Sequence, residues 1–353
     1  DVLFTILSVR AAGPGNFAVY RESAGLEDIP IAPTDMDWDT IVSEGAGFSL
    51  ETGPPRELVT LEQSGHYLAL YNLAIETSSG SNRSEIQGFI DLNGSDLPYG
   101  RSTCYIRRTG GTDECFMFGA AIIEATSSAQ QIKIEAQRTD SNSATVRRRA
   151  NESGFMLLRL DDTWNYARIS ETGGGQSFNT TTFSPVDWDS QDELDGAGFS
   201  HSTTTNSDAI TLSEAGHYLV TSNLFLFNSN TNSRRNNVTR LTLDGFELPG
   251  TRSSAMLRSH SQSADDHAAV WTGIVEATTT SQVLRLESAC EGEACGGVTN
   301  VGGQSGIAIA KLPDTADYLR LIEVGGGQAV DGIDDPILWD TESEMDTASF
   351  WHS

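Results

Sequence analysis

Apolar and polar residues alternate along this chain in short stretches, the two-residue period expected of strands with one face buried. Gln131-Ile-Lys-Ile-Glu135 and Arg240-Leu-Thr-Leu243 alternate strictly, while Tyr67-Leu-Ala-Leu-Tyr-Asn-Leu-Ala-Ile75, Ile86-Gln-Gly-Phe-Ile-Asp-Leu92 and Phe155-Met-Leu-Leu-Arg-Leu160 run apolar over strand lengths. Further strands are predicted at Tyr218-Leu-Val-Thr-Ser-Asn-Leu-Phe-Leu226, Val283-Leu-Arg-Leu286 and Ile307-Ala-Ile-Ala-Lys311. Turns such as Leu92-Asn-Gly-Ser95 and Leu243-Asp-Gly-Phe246 separate them, and Asn-Gly and Asp-Gly favour the positive backbone angles of tight hairpins. No segment carries a helical period. The pattern predicts an all-β protein.

The pattern also repeats. Gly45-Ala-Gly-Phe48 recurs as Gly196-Ala-Gly-Phe199, Gly65-His-Tyr67 as Gly216-His-Tyr218, and Ile122-Ile-Glu-Ala-Thr126 as Ile274-Val-Glu-Ala-Thr278, at an offset of 151 or 152 residues. Trp38, Trp188 and Trp339, followed by Phe48, Phe199 and Phe350, extend the register into a third copy. A repeat this long is a domain with its own core, since solenoid repeats run only about 20–50 residues. The predicted division is a closing strand and linker at 1–16, whole units at 17–160 and 161–312, and the opening part of a further unit at 313–353. Val2-Leu-Phe-Thr-Ile-Leu-Ser-Val9 occupies the place of the closing strand in a full unit. An end-to-end array follows, or a subunit that completes its neighbour. Val2, Phe4 and Ile6 at one end and Trp339 and Phe350 at the other are the residues expected to mediate assembly with copies of the chain or adjacent repeats.

The order of short motifs resembles the C1q and tumour-necrosis-factor type of jelly roll. Gly65-His-Tyr-Leu-Ala-Leu-Tyr71 is followed by a strand ending in Asp91-Leu-Asn-Gly94, a long excursion, Ile132-Lys-Ile134 and Ser153-Gly-Phe-Met-Leu157. The second copy offers Gly216-His-Tyr218, Leu243-Asp-Gly245 and Ser305-Gly-Ile307 in the same order. The resemblance implies tandem jelly-roll β-sandwiches of a secreted or surface protein that binds or assembles without catalysing. Tandem copies on one polypeptide depart from the trimer that such families form.

Charge and chemistry narrow the function. A formal charge of −27, with Lys133 and Lys311 the sole lysines, repels phosphate backbones and argues against a nucleic-acid partner. No apolar run approaches the ~18 residues of a membrane span. Arg147-Arg-Arg149 and Arg234-Arg235 are read as arginines paired with local or neighbouring carboxylates. Cys104 and Cys115, and Cys290 and Cys295, each flank a turn-like segment, so two local disulfides and an extracellular, cell-surface or virion-surface location are expected. Asn82, Asn93, Asn151, Asn179 and Asn237 begin glycosylation triplets.

Catalytic patterns are missing. The chain has no Gly-x-Ser-x-Gly elbow and no His-Glu-x-x-His, its glycine-rich runs lack a phosphate-loop ending, and His66 and His217 stand at equivalent strand starts as structural residues. Clustered acids are the remaining candidate. Asp35, Asp37 and Asp39 surround Trp38, and Asp187, Asp189, Asp192 and Asp195 surround Trp188; such carboxylates suit calcium, which takes six to eight oxygen ligands, or form a solvated acidic edge. Two functions follow: a structural subunit of an extracellular filament, surface stalk or virion appendage, or an adhesin or lectin-like module that binds glycans with calcium as the candidate ion.

Overall fold

The computed structural model describes residues 2–8, 16–25, 27–77, 84–106, 114–140, 145–230, 234–258, 265–292, 295–314, 317–323 and 341–345, with backbone alone for 2–8, 258, 317–323 and 341–345. Every regular element among them is a β-strand. Four large sheets form two sandwiches, one within 17–159 and one within 166–311. In the first sandwich the strand order from edge to edge is Glu114–Ala125, Gly65–Thr77, Ser153–Arg159, Phe17–Glu22 and Thr40–Glu44, facing a sheet ordered Ser102–Ile106, Ser84–Leu92, Gln130–Arg138, Val59–Leu61 and Phe48–Leu50. The second repeats this with Asp266–Ala277, Gly216–Asn228, Ser305–Lys311, Tyr166–Glu171 and Ser190–Leu194 in one sheet. Apart from a few short hairpins, the strands side by side in each sheet are non-consecutive, which is the jelly-roll arrangement of two antiparallel sheets.

The repeated aromatics hold each sandwich together. Trp38 and Trp188 are fully buried, and Phe48 packs edge-on to Tyr67 with ring centroids 5.7 Å apart, as Phe199 does to Tyr218 at 5.8 Å. The hairpin turns behave as their sequences require: Asn93 and Gly94 have φ of 55° and 79°, and Asp244 and Gly245 have 51° and 82°. Both disulfides form, with Cα atoms 5.9 Å apart for Cys104 and Cys115 and 6.0 Å for Cys290 and Cys295. The first ties an edge strand of one sheet to an edge strand of the other.

At one core pair the units have exchanged a large ring between strands. In the first, Tyr71 lies opposite Gly119, and a Cβ on Gly119 would stand 2.2 Å from the Tyr71 ring. In the second, the corresponding pair is Ser222 and Trp271. The large ring has changed strands, yet both rings donate a hydrogen bond 2.9 Å long to the same turn, Tyr71 to the Gly100 carbonyl and Trp271 to the Gly250 carbonyl.

A further sheet joins the two ends of the chain. Val2–Ser8 pairs antiparallel with Asp317–Glu323, which pairs with Thr341–Met345. Val2 opposes Glu323 as Ser153 opposes Glu22 and Ser305 opposes Glu171, and a bulge falls after Arg320 as it falls after Val19 and Arg168. Val2–Ser8 therefore pairs outside residues 17–160, where a sheet of an adjacent subunit or preceding repeat was expected to receive it; within this chain its partner is 317–323, which carries the opening-strand pattern that a closing strand matches. Trp339 and Phe350 lie outside the described residues.

The compensated ring pair yields a sharp expectation. Gly119→Trp should destabilise the first unit by about 1–3 kcal/mol through overpacking, and Tyr71→Ser should destabilise it by emptying the same space. Together, the two changes should cost less than their sum, with a coupling on the order of 1–3 kcal/mol in a urea-unfolding double-mutant cycle. Additive losses would refute the exchange.

Candidate functional site

The chemistry of this chain concentrates where its two sandwiches meet. In each unit, the sheet built on the long Gly-His-Tyr strand is apolar on both faces, so one face fills the sandwich and the other must be covered. Leu68, Ile122 and Leu160 of the first unit meet Tyr166, Leu219, Ile274, Ala308, Ala310 and Leu312 of the second in a separate buried cluster. This is a third core, lying between the sandwiches. Residues 161–165 turn the chain tightly there, with the Tyr166 hydroxyl donating to the Asp161 carbonyl at 2.6 Å.

Beside it, a turn of the first unit plugs into the second. Tyr99 is 3% exposed and lies against Gly306, where a Cβ would stand 2.5 Å from the Tyr99 ring. Gly306 is therefore required by close approach. The Tyr99 hydroxyl donates to Asp192 at 3.0 Å, the Gly100 amide donates to Asn223 Oδ1 at 3.2 Å, and Asn223 Nδ2 donates to the Pro98 carbonyl at 3.3 Å. Edge strand Ser102–Ile106 follows the plug, and its Thr103 hydroxyl accepts from the Ala268 amide at 2.9 Å.

An ion network closes the rim. The Arg168 guanidinium donates to Glu124 at 2.6 Å and to Glu193 at 2.8 Å, and His66 Nε2 lies 2.8 Å from Glu193 while its ring stacks on Tyr166 at 3.7 Å. Burial opposes ionisation of Glu193, but hydrogen bonds with His66 and Arg168 hold its carboxyl below the ordinary value. His66, Glu124 and Glu193 bring their ligand atoms within 4.8 Å of one another, the spacing of a metal site. Arg168 already supplies the cation, so the donor set reads as a charge-assisted clamp between units.

At the far end of the seam, one carboxyl is buried and another half-buried, and among the described residues no cation is in hydrogen-bond contact with either. Glu85 is fully buried, and burial followed by the charges of Asp266 and Asp265 pushes it well above the carboxylate range. Burial, then Asp265, raises Asp266 to about 7, while burial lowers His267 to about 4. Gln87 approaches Asp266 at 3.5 Å.

The acids singled out in the sequence do different work. Asp39 accepts from the amides of Ser23 and Ala24, Asp189 from those of Thr172 and Gly173, and Asp195 from that of Ala197. Asp37 accepts from the Arg56 amide, Asp187 from the Ser207 hydroxyl, and Asp35 pairs with Lys133 at 2.7 Å. Asp192 receives Tyr99. Among the described residues they do not converge as a ligand set; they fasten loops. The arginine run is paired locally: Arg147 with Glu76, Arg148 with Glu27, and Arg149 with Glu114 and Glu152. Asn237 is corrected as a glycosylation site: it is fully buried, its Nδ2 donates to the Phe178 carbonyl and its Oδ1 accepts from Ser288. Asn93 and Asn151 are exposed, Asn179 is half-buried, and Asn82 lies outside the described residues.

Tyr99, Asn223, Gly306 and Arg168 escaped the sequence reading. One signal was present: Leu97-Pro-Tyr-Gly100 has a residue more than Leu248-Pro-Gly250, and the extra residue is the plug.

No family model matches the chain, and no curated protein matches it. Among solved structures, the Eiger tumour-necrosis-factor protein of S. frugiperda aligns over 43% of this chain and 96% of its own, at 15% identity and TM-score 0.32. A tandem CBM22-1–CBM22-2 domain from Paenibacillus barcinonensis Xyn10C aligns over 86% and 100%, at 11% identity and TM-score 0.25. PNGF-II aligns over 84% of this chain and 65% of its own, at 9% identity and TM-score 0.29. The jelly-roll assignment rests on the strand order itself.

The seam predicts a pH signature. Because folding raises Asp266, the folded chain holds a proton there between about pH 4 and 7 that the unfolded chain releases, so this group's contribution to stability falls as pH rises across that window. His267 acts oppositely, its contribution falling as pH drops from about 6.5 to about 4. Asp266→Asn should leave the melting midpoint near the parent's at pH 4 and raise it by about 2–4 °C at pH 8. An unchanged difference across pH would show that Asp266 does not titrate in this way.

Proposed function

We propose that the chain is a structural segment of an extracellular assembly, a filament, surface stalk or virion appendage, built from serial jelly-roll units of the C1q and tumour-necrosis-factor type. The observation that carries this reading is the seam. Successive units are locked by a shared apolar core, a buried tyrosine plug and an Arg168-centred clamp, not strung as beads on a free linker. Such coupling transmits force and orientation from one unit to the next, which a load-bearing array requires and an isolated binding head does not. Two disulfides fit an oxidising, extracellular setting. A glycan-binding head would gather exposed aromatics on one loop face. Here Phe17, Phe116, Phe118 and Phe246 are all exposed on strands, Phe246 apart from the others on the short strand Phe246–Glu247.

Electron microscopy of the native material tests the proposal. Extended particles with a regular axial repeat are expected, and dispersed compact particles would overturn it. At the level of the chain, calorimetry of the intact protein should give one transition for both units. Tyr99→Ala should remove about 2–4 kcal/mol of inter-unit coupling and split that transition in two.

A further inference from the structure

The parts of the Arg168 clamp come in two sets. The first unit supplies His66 and Glu124, directly opposite one another on neighbouring strands. The second supplies Tyr166 and Arg168, two apart on the strand Tyr166–Glu171, with Glu193 opposite Arg168. One unit on, the same residue types stand at the same register positions. His217 opposes Glu276, Tyr318 and Arg320 are two apart on Asp317–Glu323, and Arg320 opposes Glu344, with a bulge directly after it as after Arg168. The chain also leaves both units alike. The Leu160 amide donates to the His66 carbonyl and the Leu312 amide to the His217 carbonyl, each at 2.8 Å, and five residues then lead to Tyr166 or to Tyr318.

The backbone brings this second pair of sets to one place. Asp266–Ala277, which carries Glu276, lies beside Val2–Ser8, as Glu114–Ala125, which carries Glu124, lies beside Ser305–Lys311. Val2–Ser8 pairs in turn with the strand of Tyr318 and Arg320. There Leu7 opposes Tyr318 and Thr5 opposes Arg320, as Ala310 opposes Tyr166 and Ala308 opposes Arg168. Neither His217 nor Glu276 is free. Arginine and glutamate are not simply what an opening strand requires, since the first unit has Val19 and Ser43 at those positions and Phe17 at that of the tyrosine.

We propose that His217 and Glu276 of the second unit form a second charge clamp with Tyr318, Arg320 and Glu344 of the terminal sheet, and that this clamp holds the sheet without a plug. The plug is lost from both sides of the joint at once. The second unit's turn, Leu248-Pro-Gly250, has no tyrosine, and Leu3 stands in the terminal sheet where the second unit has Gly306. The charged set is kept on both sides. A planar guanidinium suits the task because its fork bonds two carboxylates at once, as Arg168 does with Glu124 and Glu193. Glu276 is exposed where Glu124 is half-buried, so the second clamp is the wetter and weaker of the two. The terminal sheet is thus the part that lets go first.

The proposal deepens the array reading and rests on it for the claim that successive units share one joint, but its test is a charge swap and not microscopy. Hydrogen exchange at the amides of residues 2–8 and 317–323 is followed by mass spectrometry in the full chain. Arg320→Glu should speed that exchange by about fivefold while leaving Gly216–Asn228 unchanged. Glu276→Arg, added to it, should restore most of the protection. Glu276→Gln alone, a change at an exposed position of the second unit, should speed exchange in the same segments by a smaller factor. Rescue by Glu344→Arg and not by Glu276→Arg would place the ion pair wholly within the terminal sheet and overturn the clamp. Unchanged exchange in Arg320→Glu, or residues 2–8 already unprotected in the parent, would overturn it as well. Compact particles in the microscope with the swap intact would sink the assembly and leave this joint standing.

Discussion

A β-sheet with two apolar faces cannot end at a single sandwich, and that constraint organises this protein. The sheet containing Gly65–Thr77 places Tyr67, Leu73 and Ile75 inside its own unit while Leu68 and Ile122 point away and need cover. The second unit supplies it, and has the same requirement for Leu219 and Ile274. Burying a Leu or Ile side chain contributes about 1.5–3 kcal/mol, so a handful of such contacts makes separation of the units costly. The plug, the clamp and the short turn at 161–165 follow from that docking: they fix the angle at which two sticky faces meet.

Within that frame, polar groups give precision. Asn223 uses one side chain to hold its own unit, at the Gln304 carbonyl, and its neighbour, at Gly100 and Pro98. Arg168 bridges Glu124 and Glu193 from opposite sides of the seam. A charge this buried is tolerable because both its partners are present, and removing either would leave the other unpaid in a poorly solvated place. Among the described residues, the carboxyls of Glu85 and Asp266 have no such guanidinium in hydrogen-bond contact, and desolvation raises both above the ordinary carboxylate value.

Much of the architecture was legible in the residues. Alternation marked the strands, Asn93-Gly94 and Asp244-Gly245 marked hairpins, and Trp38 with Trp188 marked equivalent cores, since periodicity and turn chemistry are local. The seam was not legible, because nothing in Leu68 or Leu219 distinguishes an outward leucine awaiting another domain from a core leucine. Asn237 misled for the complementary reason: a glycosylation triplet is three residues, while its burial is decided by Phe178, Ser288 and Cys290 far along the chain. The aspartates around the tryptophans were read as ion ligands when their amide partners, such as Ser23 for Asp39, were invisible.

The exchanged rings at Tyr71–Gly119 and Ser222–Trp271 bear on how such a chain can change. Tandem copies of one domain can recombine with each other, which splices one copy into the next. A splice between the Gly65 strand of one unit and the Asp266 strand of the other would place Tyr71 against Trp271, two rings in a space that holds one. The reciprocal product would set Ser222 against Gly119 and leave that space empty. Only a splice that takes both strands from the same copy keeps the fit, so the stretch from Gly65 to Ala125 is exchanged as one block and the pair restricts where copies can be joined.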